Sequence, residues 1–276
     1  MKILKANGAE IPALGLGTYA LTGSQCVDIV SRALEVGYRH IDTAAFYENE
    51  EAIGAALAAS DIPREEIFVT TKVWPSEVQD GAFQRSVEAS LNRLELEQVD
   101  LLLVHWPPQN DHVDEWARLL CDAAKQGQAR HIGVSNFTTG LLDRMVAACD
   151  VPLVVNQVEN HPYLDQSKIR AACARHGMAL MAYCPLQKGK ELFEEEVIAG
   201  LAEKHSRTPS QIVLRWHLQH DGAGAIPKTA TPERLIENIS LFDFELSAQE
   251  MAQITGLTTR HLRICDYDFS PVWDAP

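Results

Sequence analysis

The sequence predicts a closed (β/α)8 barrel, eight parallel strands ringed by helices, with an N-terminal β-hairpin and a C-terminal extra helix and loop. Three observations carry this expectation. Short apolar runs alternate with longer segments of helical period along the chain. One run, Val99-Asp100-Leu101-Leu102-Leu103-Val104, is almost continuously apolar, as a parallel strand buried on both faces must be. No low-complexity linker or charge block divides the 276 residues, so 1–276 reads as one barrel domain rather than two smaller ones.

In chain order, Asn7-Gly8 lies between short apolar pieces and reads as the turn of a hairpin that precedes the first barrel strand. Strands are expected over 14–16, 40–42, 67–72, 99–105, 132–135, 153–157, 179–183 and 225–227. Helical periods fall between them, over 26–36, 50–59, 81–94, 113–126, 140–148, 166–176, 195–205 and 211–220. Thr208-Pro209-Ser210-Gln211 and Thr231-Pro232-Glu233 are helix starts in which a hydroxyl can cap and proline fits the first turn. Gly37, Gly127 and Gly177 are stops. Ser247-Ala248-Gln249-Glu250 is a capping box that opens an extra helix to about Thr255, and an irregular tail follows with Arg260, Arg263, Tyr267 and Trp273.

Composition narrows the function. With 24 basic against 38 acidic side chains the formal charge is −14, which argues against nucleic-acid and anionic-membrane partners, since both demand a basic face. A small anionic ligand stays compatible if cations gather locally. The six cysteines show no C-x-x-C spacing and are expected as reduced core thiols. No signal-peptide run opens the chain and no stretch of about 18 apolar residues occurs, so a cytoplasmic protein is the expectation. A metal enzyme would need clustered ligands; the ten histidines form no H-E-x-x-H, and no metal is expected. No G-x-S-x-G nucleophile motif occurs. Gly15-Leu16-Gly17-Thr18-Tyr19-Ala20 resembles a dinucleotide fingerprint, but the acidic residue it requires at the end of the next strand would be Asp42, which has another use below.

In a barrel, function collects at the carboxyl ends of the strands. The polar residues ending the apolar runs are Asp42, Lys72, His105, Ser135 with Asn136, Gln157, Tyr183 and Lys228, while Tyr47 lies in the loop just past Asp42. A carboxylate and an ammonium at the barrel mouth can pair and together set the proton affinity of a nearby phenol. A cation within about 4–6 Å favours the ionised phenol, commonly by about 1–3 units, which would make Tyr47 both donor and acceptor near neutral pH. His105 on the adjacent strand can hydrogen-bond a substrate oxygen, so the group suggests chemistry on a carbonyl or an alcohol.

The stretches Gly37-Tyr38-Arg39-His40-Ile41-Asp42-Thr43-Ala44 with Tyr47 and Asn49-Glu50, Thr71-Lys72-Val73-Trp74, Val99-Asp100-Leu101 with His105-Trp106-Pro107, Ile132-Gly133-Val134-Ser135-Asn136-Phe137, Asn156-Gln157 and Ile226-Pro227-Lys228 together resemble the aldo-keto reductase superfamily, and more closely its bacterial 2,5-diketo-D-gluconate reductase branch. They cover nearly the whole chain in the family's order. The resemblance implies a catalytic tetrad of Asp42, Tyr47, Lys72 and His105 that reduces a small-molecule carbonyl substrate with NADPH, Tyr47 giving the proton as general acid. It also implies that Ser135, Asn136 and Gln157 hold the nicotinamide carboxamide, that Tyr183 stacks on the ring, that Lys228, Thr229 and Arg234 take the adenosine 2′-phosphate, and that Asn238 meets adenine. Two cations on one phosphate favour NADPH over NADH. Tyr19, Trp74 and Trp106 are implied as substrate-pocket walls, Arg260 or Arg263 as a contact for a substrate carboxylate, and a monomer as the working form.

The sequence departs from common family patterns at Cys184, where serine often stands, which puts a pyrophosphate contact there in doubt. The segment between His105 and the fourth helix is short, implying a more open site. The competing reading is a non-catalytic NADPH-binding barrel that serves as a sensor or regulatory subunit, since fold alone does not fix function.

Overall fold

A computed structural model describes residues 2–76, 81–108 and 112–275. It begins with the hairpin. Strands β1 (Ile3–Ala6) and β2 (Ala9–Pro12) pair antiparallel with Ala6 opposite Ala9, so Asn7-Gly8 is a two-residue loop. Both loop residues have positive φ, +45° at Asn7 and +88° at Gly8, as a primed hairpin turn requires.

The barrel follows as β3 (Leu16–Gly17), α1 (Gly23–Glu35), β4 (His40–Asp42), α2 (Glu50–Ala58), β5 (Phe68–Val73), α3 (Ala82–Leu94), β6 (Val99–Val104) and α4 (Val113–Lys125). Its second half is β7 (Ala129–Ser135), α5 (Thr139–Ala148), β8 (Leu153–Glu159), α6 (Ser167–Arg175), β9 (Ala179–Tyr183), α7 (Lys190–Glu194), α8 (Glu196–His205), α9 (Pro209–Gln219), β10 (Ala223–Ala225) and α10 (Pro232–Ile239). Helix α11 (Ala248–Thr255) and the tail complete the described chain. Strands β3 to β10 pair in sequence order and in parallel. Parallel bridges from Leu14 to Ala225 and from Gly17 to Lys228 close the ring.

That seam explains the glycines of the dinucleotide-like motif. The amide of Gly17 donates to Pro227 O at 3.1 Å, and a Cβ on Gly17 would stand 2.7 Å from Ile226 O. The residue is small so that first and last strands can meet, which is a packing role rather than phosphate binding. Strand β6 is buried at every position, as its apolar run demands. The eighth strand lies two residues earlier than expected, at Ala223–Ala225, and Pro227, which has no amide proton, cannot extend it further.

Thr208 and Ser247 both form complete capping boxes. Thr231 does not: its side chain makes no cap bond, and its amide instead donates to Thr229 Oγ1 at 3.0 Å. The hairpin covers the amino-terminal ends of the strands. Asn7 Nδ2 donates to Leu153 O at 2.7 Å and His176 O at 2.9 Å, and Lys2 Nζ to Leu218 O at 2.5 Å. Inside the ring and beneath the helices runs one apolar core, with a second cluster around Tyr163, Ile198, Ile212, Trp216 and Ile254 under α8, α9 and α11. Among the described residues no helix is long and apolar enough to cross a membrane.

A Gly17→Ala substitution places a methyl group against the Ile226 carbonyl at the closing seam. The expected cost is about 1–3 kcal/mol of stability, read as a lower denaturant midpoint with an unchanged slope.

Candidate active site

The strand register decides which side chains share the mouth. Asp42 ends β4, Lys72 lies one residue before the end of β5, and His105 immediately follows β6. The pairing of β4 with β5 brings the first two together across the barrel interior. Lys72 Nζ donates to Asp42 Oδ1 at 2.6 Å and to Thr43 O at 2.8 Å, and both side chains are almost wholly buried. The other carboxylate oxygen, Oδ2, accepts from Gln157 Nε2 at 2.6 Å, so β8 is tied into the same pair.

Tyr47 reaches this pair from a 3-10 turn over 45–47. Lys72 Nζ lies 3.3 Å from its hydroxyl oxygen and can donate to it, which leaves the phenolic proton available to another acceptor. The structure corrects the expected direction of its titration. Burial, with Asp42 adding to it, pushes the phenol well above its ordinary value. The Lys72 charge, engaged by Asp42 at 2.6 Å, does not overcome that, and burial lowers the ammonium's own pKa against the pull of Asp42. In this resting state Tyr47 is therefore a proton donor and not an acceptor.

The His105 ring stands edge-on to Tyr47, centroids 5.6 Å apart. Burial and the nearby Lys72 charge hold its pKa well below the ordinary value, so the imidazole is neutral. Among the described residues its Nδ1 is buried without a hydrogen-bond partner.

Ser135, Asn136, Gln157 and Tyr183 come together as expected, but they spend much of their hydrogen-bonding capacity on one another. Ser135 Oγ donates to Gln157 O at 2.8 Å, Asn136 Nδ2 to His105 O at 3.0 Å and to Ser135 Oγ at 3.2 Å, and Tyr183 Oη to Asn136 Oδ1 at 2.7 Å. Asn136 sits at φ +65°, a conformation asparagine tolerates well.

Lys228 and Arg234 are exposed at the start of α10, and among the described residues neither side chain makes a hydrogen bond or ion pair. Two unpaired cations beside a helix start are a fitting seat for a phosphate. Thr229 and Asn238 lie buried nearby in sequence, Thr229 in the turn to Thr231 and Asn238 on the inner face of α10. Among the described residues no three His, Cys, Asp or Glu side chains gather as a metal-holding group.

Of the expected pocket walls, Tyr19 is 60% exposed and packs edge-on to Tyr47 at 5.2 Å. Trp74 stacks on Phe46 at 4.3 Å and meets His105 at 5.1 Å. Trp106 is different: only 5% exposed, it sits under the tail, against Phe269 at 5.2 Å, Tyr267 at 5.8 Å and Trp273 at 6.1 Å. Phe46, Tyr267 and Phe269 belong to the aromatic wall although the sequence reading assigned them no substrate role. The implied openness between His105 and the fourth helix falls partly on 109–111, outside the described residues.

The tail is held by a residue the sequence reading passed over. Glu159, at the carboxyl end of β8, is fully buried and accepts from Ile264 N at 2.6 Å, Cys265 N at 2.7 Å and, when the imidazole carries that proton, His161 Nε2 at 2.8 Å. These bonds outweigh the opposing burial and lower its pKa. Its position as one more polar group ending an apolar run was the available signal. Of the two tail arginines Arg260 is engaged, whereas Arg263 keeps its Nη1 buried without a hydrogen-bond partner among the described residues. Arg260 pairs with Glu195 at 2.5 Å and lies over the Tyr163 ring, while Arg263 lies 3.7 Å over the Trp273 ring.

Residues 13–259 match the profile of the aldo/keto reductase family. The chain is similar to a Yersinia pestis protein named methylglyoxal reductase DkgA, 44% identical over 254 residues, covering 91% of this chain and 90% of that one. It is similar also to glyoxal reductase of Bacillus subtilis, 42% identical over 252 residues, with 91% and 90% covered. A crystal structure named for 2,5-diketo-D-gluconic acid reductase B superposes with a TM-score of 0.96 at 39% identity, covering 100% of this chain and 98% of that one.

Glu159→Gln keeps the shape but turns one of the two acceptors into a donor facing a backbone amide. We expect a loss of about 1–3 kcal/mol and faster proteolytic cleavage within the tail. Because the folded-state pKa is depressed, the wild-type contribution is present above the ordinary glutamate value of 4.5 and is lost as pH falls through the lower folded value. The variant should show a smaller acid-side loss of stability in the same denaturant titration.

Proposed function

The chain belongs to the aldo/keto reductase family, and from that premise we propose that it is an NADPH-dependent reductase of small reactive aldehydes and ketones, with dicarbonyls and keto sugar acids as its substrate class. Carbonyl oxidoreduction is the family's chemistry; NADPH and the substrate class are the finer reading. The observation that carries it is the Tyr47 hydroxyl, held through its oxygen by Lys72 while burial keeps its proton in place. That is the equipment of a general acid working in the direction of reduction.

When bound, the nicotinamide supplies the hydride for the carbonyl carbon. Tyr47 gives its proton to the carbonyl oxygen. His105, neutral, presents Nε2–H to the same oxygen and fixes its direction. Lys72 acts after the proton has left: the ammonium beside the phenolic oxygen steadies the negative charge that develops there, and Asp42 holds Lys72 in place. The tetrad is thus Asp42, Tyr47, Lys72 and His105.

For the cofactor we assign Ser135, Asn136 and Gln157 to the carboxamide and Tyr183 to the ring. Lys228, Thr229 and Arg234 are assigned to the 2′-phosphate and Asn238 to adenine. Support comes from the shared network of the first four and from the unpaired state of the two cations. The substrate class rests on the names of the relatives, methylglyoxal and glyoxal reductase. The aromatic wall of Tyr19, Phe46, Trp74 and Phe269 is compatible with compact substrates. We take the working form to be a cytoplasmic monomer with no nucleic-acid or membrane partner.

Two measurements test this reading. Tyr47→Phe should lower kcat/KM for methylglyoxal by about 10²–10⁴-fold while NADPH binding by fluorescence titration is kept; full activity in that variant would sink the mechanism. In a separate set, Lys228→Ala and Arg234→Ala should each raise the KM for NADPH about tenfold and leave that for NADH nearly unchanged. Equal effects on both cofactors would remove these residues from the phosphate site.

A further inference from the structure

Two cysteines that the reductase chemistry does not use meet at the barrel mouth. Cys184 follows Tyr183, the last residue of β9, and Cys265 lies in the tail. Strands β8 and β9 place Glu159 opposite Tyr183. Because the Glu159 carboxylate also takes the Cys265 amide at 2.7 Å, the tail cysteine is brought over the end of β9. There the two thiols lie beside each other.

Both partners are held in place. Cys184 sits in the left-handed backbone region at φ +45°, and its carbonyl accepts from Gln187 N at 3.0 Å. Cys265 is fixed through Glu159. The neighbouring Cys184 thiol, foremost, holds the Cys265 thiol below its usual pKa and so favours the thiolate, the form that attacks an oxidant. Both residues are only half-buried, which leaves them open to a small reagent.

We propose that Cys184 and Cys265 form a reversible thiol switch, oxidised by a peroxide or a low-molecular-weight disulfide to a disulfide that fastens the tail across the barrel mouth and slows turnover. With hydrogen peroxide, the Cys265 sulfur attacks one oxygen and becomes a sulfenic acid, and the other oxygen leaves as water. The Cys184 sulfur then displaces that sulfenic oxygen, forming the S–S bond and a second water. Two thiols lose two electrons and two protons to one peroxide. With a small disulfide the same electrons pass through a mixed disulfide at Cys265, and the reagent leaves as two thiols.

The effect on turnover rests on the reductase reading above, whereas the cross-link does not. Tyr267 and Phe269 follow Cys265 closely and form part of the aromatic wall, so a covalent tie at Cys265 restricts the segment that must admit substrate and release product. A second thiol pair provides an internal comparison. Cys149 also contacts Cys121, but Cys121 is buried in α4 and shielded from reagent.

The full-length protein is treated with hydrogen peroxide or oxidised glutathione. Peptides are then mapped under non-reducing conditions, with carbonyl-dependent NADPH consumption followed in parallel. The expected product is a peptide joining Cys184 to Cys265, absent from Cys184→Ser and from Cys265→Ser, each checked for folding by circular dichroism. Turnover of the wild type should fall about tenfold or more and return with dithiothreitol, while Cys265→Ser keeps its activity under oxidant. Thiols that stay unlinked, a principal cross-link between Cys121 and Cys149, or a Cys184–Cys265 link that leaves turnover unchanged would each overturn the switch. If the untreated protein reduces no carbonyl, the reductase reading fails and the turnover claim falls with it, while peptide mapping still decides whether the pair forms.

Discussion

The candidate site depends on one buried ion pair. Lys72 and Asp42 are taken almost completely out of water, and neither charge could stay there alone: removing one partner of such a pair costs about 3–5 kcal/mol because the other is left uncompensated. Their contact at 2.6 Å, with Thr43 O and Gln157 Nε2 filling further positions, ties β4, β5 and β8 together across the interior. The arrangement gives Tyr47 an ammonium beside its oxygen without turning the phenol into an anion at rest. It also pushes His105 toward the neutral form. The proton on Tyr47 follows first from its own burial and then from Asp42, and the neutrality of His105 first from its burial and then from the Lys72 charge.

Much of this was legible along the chain because barrel strands display their function at their ends. A single periodicity located the runs, and the polar residue closing each run marked Asp42, Lys72, His105, Gln157 and Tyr183. The hairpin was legible too, since Asn7-Gly8 suits a turn that needs two positive φ angles. What escaped was non-local. The phenol's titration follows from a balance between burial and a charge already engaged, and no spacing in the sequence states how far Asp42 offsets Lys72. Trp106 read as a pocket wall because it adjoins His105, yet the tail comes to rest on it. Arg260 read as a ligand for an anion because nothing near it in sequence shows Glu195 waiting in space. Glu159 was visible as a polar strand end, but its purpose is set by residues more than a hundred positions away.

Electrostatics carries the same lesson at larger scale. A formal charge of −14 describes the chain as a whole. Many of the basic side chains are spent on acidic neighbours, as Arg64 is on Asp100 and Arg93 on Glu50. Among the described residues Lys228 and Arg234 are not, so two exposed cations stand free beside α10 on a chain whose overall charge is negative.

The hairpin and the tail close opposite ends of the same cylinder. Asn7 and Lys2 stitch the start of the chain over the amino ends of the strands, whereas Glu159 and Trp106 seat its last stretch beside the site. A fusion partner or surface linker joined before residue 2 would therefore hang from the face without chemistry, and the molecule could be immobilised there with its entrance pointing into solution. The same attachment after residue 275 would stand at the doorway.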